Sequence, residues 1–275
     1  MLDRYVNIFL FFALVFVFIL FGTAEVHLRI LLAFLLALLF SQMAFVFNWL
    51  TLEGATAATV FGTIAFGLGG IPGAAVVMAF FISGSALSKD LISNEGFLEK
   101  KFRRDGIQVW SNGFWFCIWI IIWYLTDYDG FKIAAVASLA MATADTWSSE
   151  IGANRLKAKT WMITTGKRVD PGTDGGVSVE GTFAALFGAG FICFIFWASE
   201  FEAGITALAI ILGMGFAGSF IDSYLGARFQ NETIDGSFLP IFGQENMYVS
   251  NNFVNWAASG LASIISLFLI LFIGV

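Results

Sequence analysis

Charged residues are scarce in this chain, and their scarcity decides the class of protein. Only 12 % of the 275 residues are charged and 59 % are hydrophobic, whereas a soluble domain carries about 25 % charged residues. This leaves too little polar surface to cover a water-soluble globule, so the composition indicates an integral membrane protein. The net charge of −6 also disfavours nucleic-acid binding.

Histidine and cysteine, which commonly act as catalytic bases, nucleophiles or metal ligands, are almost absent. The chain has one histidine, His27, and two cysteines, Cys117 and Cys193, both within apolar runs where small buried residues are expected. Ser-His-Asp, Cys-His and His-zinc sites are therefore excluded. Any chemistry has to use carboxylates, hydroxyls, amides and basic groups.

Long apolar stretches separated by charges predict the architecture. A membrane-spanning helix needs about 20 mostly apolar residues. We predict an all-α polytopic membrane protein with about nine transmembrane helices, forming a single domain over residues 1–275. The glycines between the third and fourth stretches leave open whether these two span the membrane or form a re-entrant pair. The predicted spans are Tyr5–Phe21, Leu28–Trp49, Ala55–Leu68, Pro72–Leu87, Trp110–Thr126, Phe131–Trp147, Gly181–Ser199, Gly204–Ala227 and Asn252–Gly274.

Basic residues are divided unequally between the two sides of this arrangement. With the N-terminus inside, twelve of the fourteen Lys and Arg residues fall on one side, and only Arg29 and Lys132 fall on the other. Because cytoplasmic loops carry an excess of basic residues, we predict a cytoplasmic N-terminus and an outer C-terminus. The loops at about 88–109, 148–180 and 228–251 are then cytoplasmic, and we expect a bacterial or archaeal plasma membrane.

Two aspartates stand out at the cytoplasmic ends of the predicted helices. Asp145 closes an apolar helix and is followed by Ser148 and Ser149, and Asp222 shares a helical stripe with Ser219. Carboxylates with nearby hydroxyls can hold Mg²⁺, although a helix end that meets water would have the same pattern. We predict that the two aspartates share one Mg²⁺ site despite their separation of 77 positions.

A glycine-rich loop precedes the seventh predicted helix, within residues 170–182. Glycines let a backbone approach a ligand closely, and a helix N-terminus offers N–H groups to phosphate; an ordinary capped loop is the alternative. The basic run at 100–104 is interpreted as a solvated flank of a helix, with binding of a lipid phosphate as the alternative. The candidate phosphate ligands are Asn112, Asp174, Gly175, Gly176, Ser178, Gly181, Thr182, Asn252 and Asn255.

The ordered set of motifs resembles a known family. Residues 144–152, 171–182, 218–230 and 251–256, with 54–70 and 104–113, are similar to the integral membrane family (domain of unknown function 92) that includes transmembrane protein 19 and the plant and cyanobacterial phytyl-phosphate kinase. The resemblance covers about residues 54–256. It implies phosphorylation of an isoprenoid monophosphate to the diphosphate at a membrane, with a nucleoside triphosphate as donor.

A more distant similarity points to the CTP-dependent polyprenol and dolichol kinases. It lies in Ser178-Val179-Glu180-Gly181-Thr182, and Val177 stands where those kinases commonly have lysine. CTP is therefore the suspected donor, with Mg²⁺ as the cofactor and the lipid bilayer and an isoprenoid monophosphate as partners.

The kinase interpretation gives each candidate residue a role. Asp145 and Asp222 would hold metal, and Glu150 and Glu180 would orient hydroxyls or a second metal. Lys167 and Arg168 would neutralise charge, and the glycine-rich loop would bind the donor phosphates through Gly175, Gly176, Ser178 and Thr182. Two alternatives stay open: a transporter or flippase of a lipid phosphate or ion, and a non-catalytic membrane scaffold.

Overall fold

The structure, a computed structural model, describes residues 2–89, 103–200, 203–235 and 246–273. These parts of the chain form nine α-helices, which confirms the predicted all-α class. Parts of the predicted loops 88–109 and 228–251 lie outside the described residues. The helices are α1 (Leu2–Phe21), α2 (Ala24–Val46), α3 (Leu52–Gly67), α4 (Gly70–Lys89), α5 (Gly106–Thr126), α6 (Asp129–Trp147), α7 (Val179–Ser199), α8 (Ile205–Phe229) and α9 (Asn251–Ile273).

Short irregular elements join the helices and were not predicted from the sequence. A π-helix, Ser148–Arg155, continues α6. A three-stranded antiparallel sheet of order β2-β1-β3 follows it, and a two-stranded antiparallel pair, β4-β5, joins α8 to α9. The strands are β1 (Thr160–Met162), β2 (Arg168–Val169), β3 (Gly176–Val177), β4 (Thr233–Asp235) and β5 (Asn246–Tyr248).

Seven of the nine described helices are long and apolar enough to cross a membrane. The other two are α3, with 16 residues, and the alanine-rich α6. Every residue of α6 from 133 to 144 is buried, because α5, α7, α8 and α9 all pack against this helix. Small side chains allow such close packing of helices within a membrane. The central helix contacts protein on all sides and has no need of a lipid-facing apolar surface.

The helices alternate in direction, so the bundle has two distinct ends. The start of α3 lies beside the start of α5, where the backbone N–H of Thr51 donates to the carbonyl of Arg104 (3.1 Å). At the opposite end, the hydroxyl of Tyr124 near the end of α5 donates to the carbonyl of Phe21 (3.3 Å). The end that holds the starts of α3 and α5 is called the site end below. Which end faces the cytoplasm stays a prediction.

The third and fourth helices are separate and continuous. Ser41 and Thr59 share a hydrogen bond between α2 and α3 (2.7 Å), and Arg29 Nε donates to the carbonyl of Gly67 at the other end of the same helix pair (2.9 Å). The helix α3 therefore runs beside α2 from the site end to the far end, and α4 returns. The helices α3 and α4 therefore form an antiparallel pair of separate helices.

The helix α5 begins four residues before the predicted start at Trp110. Asp105 caps it, because the Asp105 carboxylate accepts from the backbone N–H of Gln108 (2.8 Å) while Gln108 Oε1 accepts from the backbone N–H of Asp105 (3.1 Å). Such a reciprocal pair satisfies two backbone groups that the helix start would leave unpaired. The earlier start places Arg104 immediately before the helix, at the site end.

Candidate active site

A polar cavity of about 460 Å³ lies at the site end of the bundle. Residues from α4, α5, α6, the π-helix, the loop before α7, α8 and α9 line it. It brings together segments that the sequence places more than one hundred residues apart. Of the predicted site residues, those that line the cavity are Asn112, Asp145, Glu150, Asp174, Gly175, Gly176, Ser178, Asp222, Asn252 and Asn255.

The carboxyl groups of Asp145 and Asp222 lie close together, and both line the cavity. Asp145 sits two residues before the end of α6, and Asp222 is a buried residue of α8. Two helices that pack along each other therefore bring these side chains together at the site end. This is the adjacency that the sequence analysis expects for a shared site.

Asn255 of α9 supports the aspartate pair. With its amide nitrogen turned toward the carboxylate, it donates to Asp222 Oδ1 (3.1 Å) and to the carbonyl of Asn251 (3.2 Å). Asn112 of α5 lines the same cavity and donates to the carbonyl of Gln108 (2.9 Å). The sequence analysis expects Asn255 to bind phosphate, and in the structure this residue orients a carboxylate.

The donor set around the pair fits a hard divalent cation. Two carboxylates in contact repel each other unless a cation or a proton lies between them. Among the described residues, no group of three or more His, Cys, Asp and Glu side chains is placed to hold a metal ion. Mg²⁺ binds through one or two carboxylates and completes its shell with waters and substrate phosphates, so Asp145 and Asp222 would suffice for it.

Glu150 projects into the cavity from the π-helix and is held there by two neighbours. Glu150 Oε1 accepts from the Ser88 hydroxyl (2.7 Å), and Oε2 accepts from the Asn154 amide (3.1 Å). π-Helices are rare and are frequent at functional sites. Here Ser148, Ser149 and Glu150 of the π-helix all line the same cavity. The π-helix therefore contributes three polar residues to the candidate site.

The glycine-rich loop before α7 is clamped to the end of α8. The Asp174 carboxylate accepts from Gln230 Nε2 and from Asn231 Nδ2, each at 2.7 Å. Gly175 has a φ of +74°, and a Cβ on it would lie 2.2 Å from the Cβ of Ala227. Only glycine fits this approach. Asp174 was predicted as a phosphate ligand, and in the structure its carboxylate positions the loop.

Some backbone groups of the glycine-rich loop form hydrogen bonds within the protein. The N–H of Gly176 donates to the carbonyl of Thr173 (2.8 Å), and Gly176 pairs with Met162 in the sheet. A Cβ on Gly176 would also lie 2.6 Å from Thr160 Cγ2. Replacement of Gly176 by valine would disturb the sheet, so loss of nucleotide binding in that variant would not isolate a phosphate contact.

The segment Ser178–Thr182 forms the start of α7. Ser178 is the N-cap, and its hydroxyl accepts from the backbone N–H of Gly181 (3.0 Å), while the Thr182 hydroxyl donates to the carbonyl of Ser178 (2.8 Å). Gly181 packs against the π-helix, since a Cβ on Gly152 would lie 2.8 Å from its Cα. Glu180, Gly181 and Thr182 do not line the cavity. Ser178 does, and it remains the member of this motif that faces the site.

The predicted basic partners of the phosphates lie elsewhere. Lys167 and Arg168 are exposed in the β1–β2 hairpin, where Arg168 pairs with Trp161, and neither residue lines the cavity. The cation that does line it is Arg104. The run that contains Arg104 was interpreted as a solvated flank, with binding of a lipid phosphate as the alternative, and its position next to the Asp105 cap was the signal that was missed.

Arg104 lies outside the helices and remains a cation. Burial lowers the pKa of its guanidinium to about 10, and the nearby Glu150 carboxylate opposes this shift. Since this pKa stays well above neutrality, Arg104 keeps its charge at pH 7. Among the described residues, the cavity is therefore lined by the Asp145–Asp222 pair, Glu150 and Asp174 and by one cation, Arg104.

The sequence matches the family model of the integral membrane protein DUF92 over residues 35–263. The chain belongs to this family. The matched residues include all of those that line the polar cavity. This confirms the resemblance found in the sequence motifs.

Relatives of the chain come from several organisms. An uncharacterized membrane protein of Methanocaldococcus jannaschii is 29 % identical over 218 residues, which cover 77 % of this chain and 88 % of the relative. The chloroplastic protein VTE6 of Arabidopsis thaliana is 30 % identical over 241 residues, covering 82 % of this chain and 66 % of VTE6. Protein PGR of Arabidopsis thaliana is 30 % identical over 230 residues, covering 74 % of this chain and 79 % of PGR. No solved structure matches the chain.

Proposed function

We propose that this protein is a membrane-embedded kinase that phosphorylates an isoprenoid monophosphate to the diphosphate. A nucleoside triphosphate, with CTP as the first candidate, donates the phosphoryl group, and Mg²⁺ is the cofactor. The reaction takes place in the polar cavity at the site end, which faces the cytoplasm if the distribution of basic residues sets the orientation.

The observation that carries the proposal is that the Asp145 and Asp222 carboxyl groups lie close together in one polar cavity. Phosphoryl transfer needs little covalent chemistry from a protein, and it depends on alignment and on neutralisation of phosphate charge. A carboxylate pair that binds Mg²⁺ would supply that neutralisation. No general base is required, because an anionic oxygen of the substrate phosphate can attack the γ-phosphorus while the nucleoside diphosphate leaves.

The family supports the same reaction class. The resemblance of the motifs to the phytyl-phosphate kinase branch of this family implies the same reaction, and VTE6 is 30 % identical to this chain. Three groups of residues in the cavity would have separate roles in this reaction. Asp145 and Asp222 would hold the cation, the loop clamped by Asp174 would place the donor, and Asn255 would keep the Asp222 carboxylate in position.

Transport of a lipid phosphate is the alternative that the sequence leaves open. Transporter sites lie near the bilayer midplane and are typically built from discontinuous helices. Here Asp145 is two residues from the end of α6, and α3 and α4 are continuous. These two observations favour chemistry at one end of the bundle over alternating access.

Purified protein in detergent tests the proposal. Prenyl monophosphates of several chain lengths are incubated with Mg²⁺ and with each of CTP, ATP, GTP and UTP, and the diphosphate product is separated and quantified. Formation of prenyl diphosphate that requires both nucleotide and Mg²⁺ is the expected result. Asp127→Asn, an exposed residue at the far end of the bundle, is the matched control and should stay active. No product with any donor and any chain length would overturn the proposed function.

A further inference from the structure

A second cavity lies beside the polar one and has the opposite character. It is a groove of about 530 Å³ between α2, α3 and α4, and its walls are almost wholly apolar. Leu36, Leu39 and Met43 of α2 and Ile71 of α4 border it and are exposed. In a membrane these side chains face the lipid, so the groove opens sideways into the hydrocarbon region.

The groove is elongated along the helices. Its wall on α4 extends from Ile71 near the far end to Phe81, a distance of about 15 Å at the helical rise of about 1.5 Å per residue. Ala33 of α2 and Ala74 of α4 line it, where small side chains leave room between the helices. Its shape suits a linear apolar chain that lies parallel to the helix axes.

The apolar groove and the polar cavity meet at two residues. Arg104 and Gln108 line both. The Arg104 guanidinium lies over the rings of Phe80, at 5.3 Å from the centroid, and Phe81, at 5.8 Å. It also lies against Gly84, where a Cβ would be 2.4 Å from Nη2. The aromatic rings and the bare glycine backbone thus hold the cation at the boundary between the two spaces.

The guanidinium has an unused donor group at this boundary. Arg104 Nη1 is buried and has no hydrogen-bond partner among the described residues. A buried donor without a partner is costly, and more so when it carries charge. The planar fork of arginine matches the oxygens of a phosphate, which it can bind through two parallel hydrogen bonds.

From this junction we infer that the α2–α3–α4 groove holds the isoprenoid chain of the substrate and that Arg104 binds its monophosphate. The inference rests on the proposed kinase function and adds the substrate's position and direction. The chain lies in the groove with its phosphate at the Arg104 end, so the attacking oxygen points into the polar cavity that contains Asp145 and Asp222. The depth of the groove then sets the length of chain that the enzyme accepts.

Chain-length preference tests the groove. Ala74→Phe adds bulk inside it, and Ile82→Phe adds bulk to an exposed position of α4 that does not line it. For Ala74→Phe we expect KM to rise about tenfold for the longest accepted prenyl monophosphate and to stay unchanged for the shortest, because each methylene removed from an apolar site costs a factor of about four in affinity. Ile82→Phe should behave like the wild type at every length.

Binding without turnover tests Arg104. The affinity of a fluorescent prenyl monophosphate is measured in detergent without nucleotide, beside the corresponding prenyl alcohol. Arg104→Gln should weaken binding of the monophosphate about ten- to a hundredfold and leave binding of the alcohol unchanged, since only the phosphate loses a charged partner. Arg104→Lys keeps the charge without the fork and should fall between the two.

The outcomes separate the inference from the proposed function. Prenyl diphosphate formation with unchanged chain-length preference in Ala74→Phe, or equal loss of alcohol and monophosphate binding in Arg104→Gln, would overturn the inference and leave the kinase intact. Phosphatidic acid that competes with the prenyl monophosphate for wild-type protein but not for Arg104→Gln would instead identify a membrane phospholipid as the occupant and also overturn it. Absence of product from every monophosphate would overturn the proposed kinase function, and the binding measurements would still test the role of Arg104.

Discussion

Replacement of one aspartate of the Asp145–Asp222 pair should separate the electrostatics of the site from its chemistry. Two unit charges about 4 Å apart repel each other by about 4 kcal/mol at an effective dielectric constant of 20. Without Mg²⁺ a proton has to lie between the two groups to relieve this repulsion. Asp222→Asn removes that need, so we expect the variant to be at least as stable as the wild type when no Mg²⁺ is present. The same change removes half of the charge that attracts the cation, and Mg²⁺-dependent turnover should be lost.

Thermal unfolding in detergent, with and without Mg²⁺, measures the effect. A ligand at 100 times its Kd stabilises the state that binds it by about 2.7 kcal/mol, which raises Tm by about 5–10 °C for a domain of this size. Wild type and Asp127→Asn should show this Mg²⁺-dependent shift, and Asp145→Asn and Asp222→Asn should not. The double variant should lose little more activity than either single variant, since parts that act as a unit are not additive. A full Mg²⁺ shift in Asp222→Asn would refute the shared site.

Three further predictions concern the surroundings of the pair. Asp174→Ala removes two charge-assisted hydrogen bonds that clamp the loop to α8, so nucleotide affinity in a titration should fall about tenfold; unchanged affinity would remove the loop from the donor site. Lys167→Ala with Arg168→Ala should leave kcat/KM within about twofold, because both side chains are exposed and outside the cavity, and a large loss would show that the hairpin reaches the phosphates. Lys159→Cys should resist a membrane-impermeant thiol reagent in intact cells and react after permeabilisation; labelling from outside would reverse the predicted orientation.

The helices could be predicted because apolar length is a local property of the sequence. Each predicted span overlaps one helix of the structure. The errors lie at the helix ends, because capping hydrogen bonds determine where a helix begins and ends. The start of α5 was placed late because Asp105 and Gln108 satisfy each other's backbone groups, a pattern that a search for apolar runs ignores. The π-helix and the small sheets depend on tertiary contacts and left no comparable signal.

Only part of the candidate site could be predicted from the sequence. Asp145 and Asp222 could be found because a carboxylate at the end of an apolar helix is costly and therefore conspicuous. Arg104 could not, since a basic residue beside other basic residues is typical of a solvated flank of a membrane helix. Arg104 contacts Phe80 and Phe81 of α4. The spacing of residues in the sequence does not predict such a contact between two separate segments.

The composition of α6 connects the fold to the proposed chemistry. A helix with buried residues from 133 to 144 is enclosed by protein, and Asp145 near its end lines the polar cavity at the site end. A carboxylate placed there meets Asp222 of the helix packed beside it, and the contact persists without a lipid-exposed charge. In the proposed reaction the polar lining of this cavity would exclude the hydrocarbon part of the substrate, which the apolar groove would hold, and Arg104 would bind the phosphate at the boundary. The helices that enclose α6 thus accommodate a sequence that is less apolar than those of the outer helices, and they allow the bundle to hold a charged site at one end.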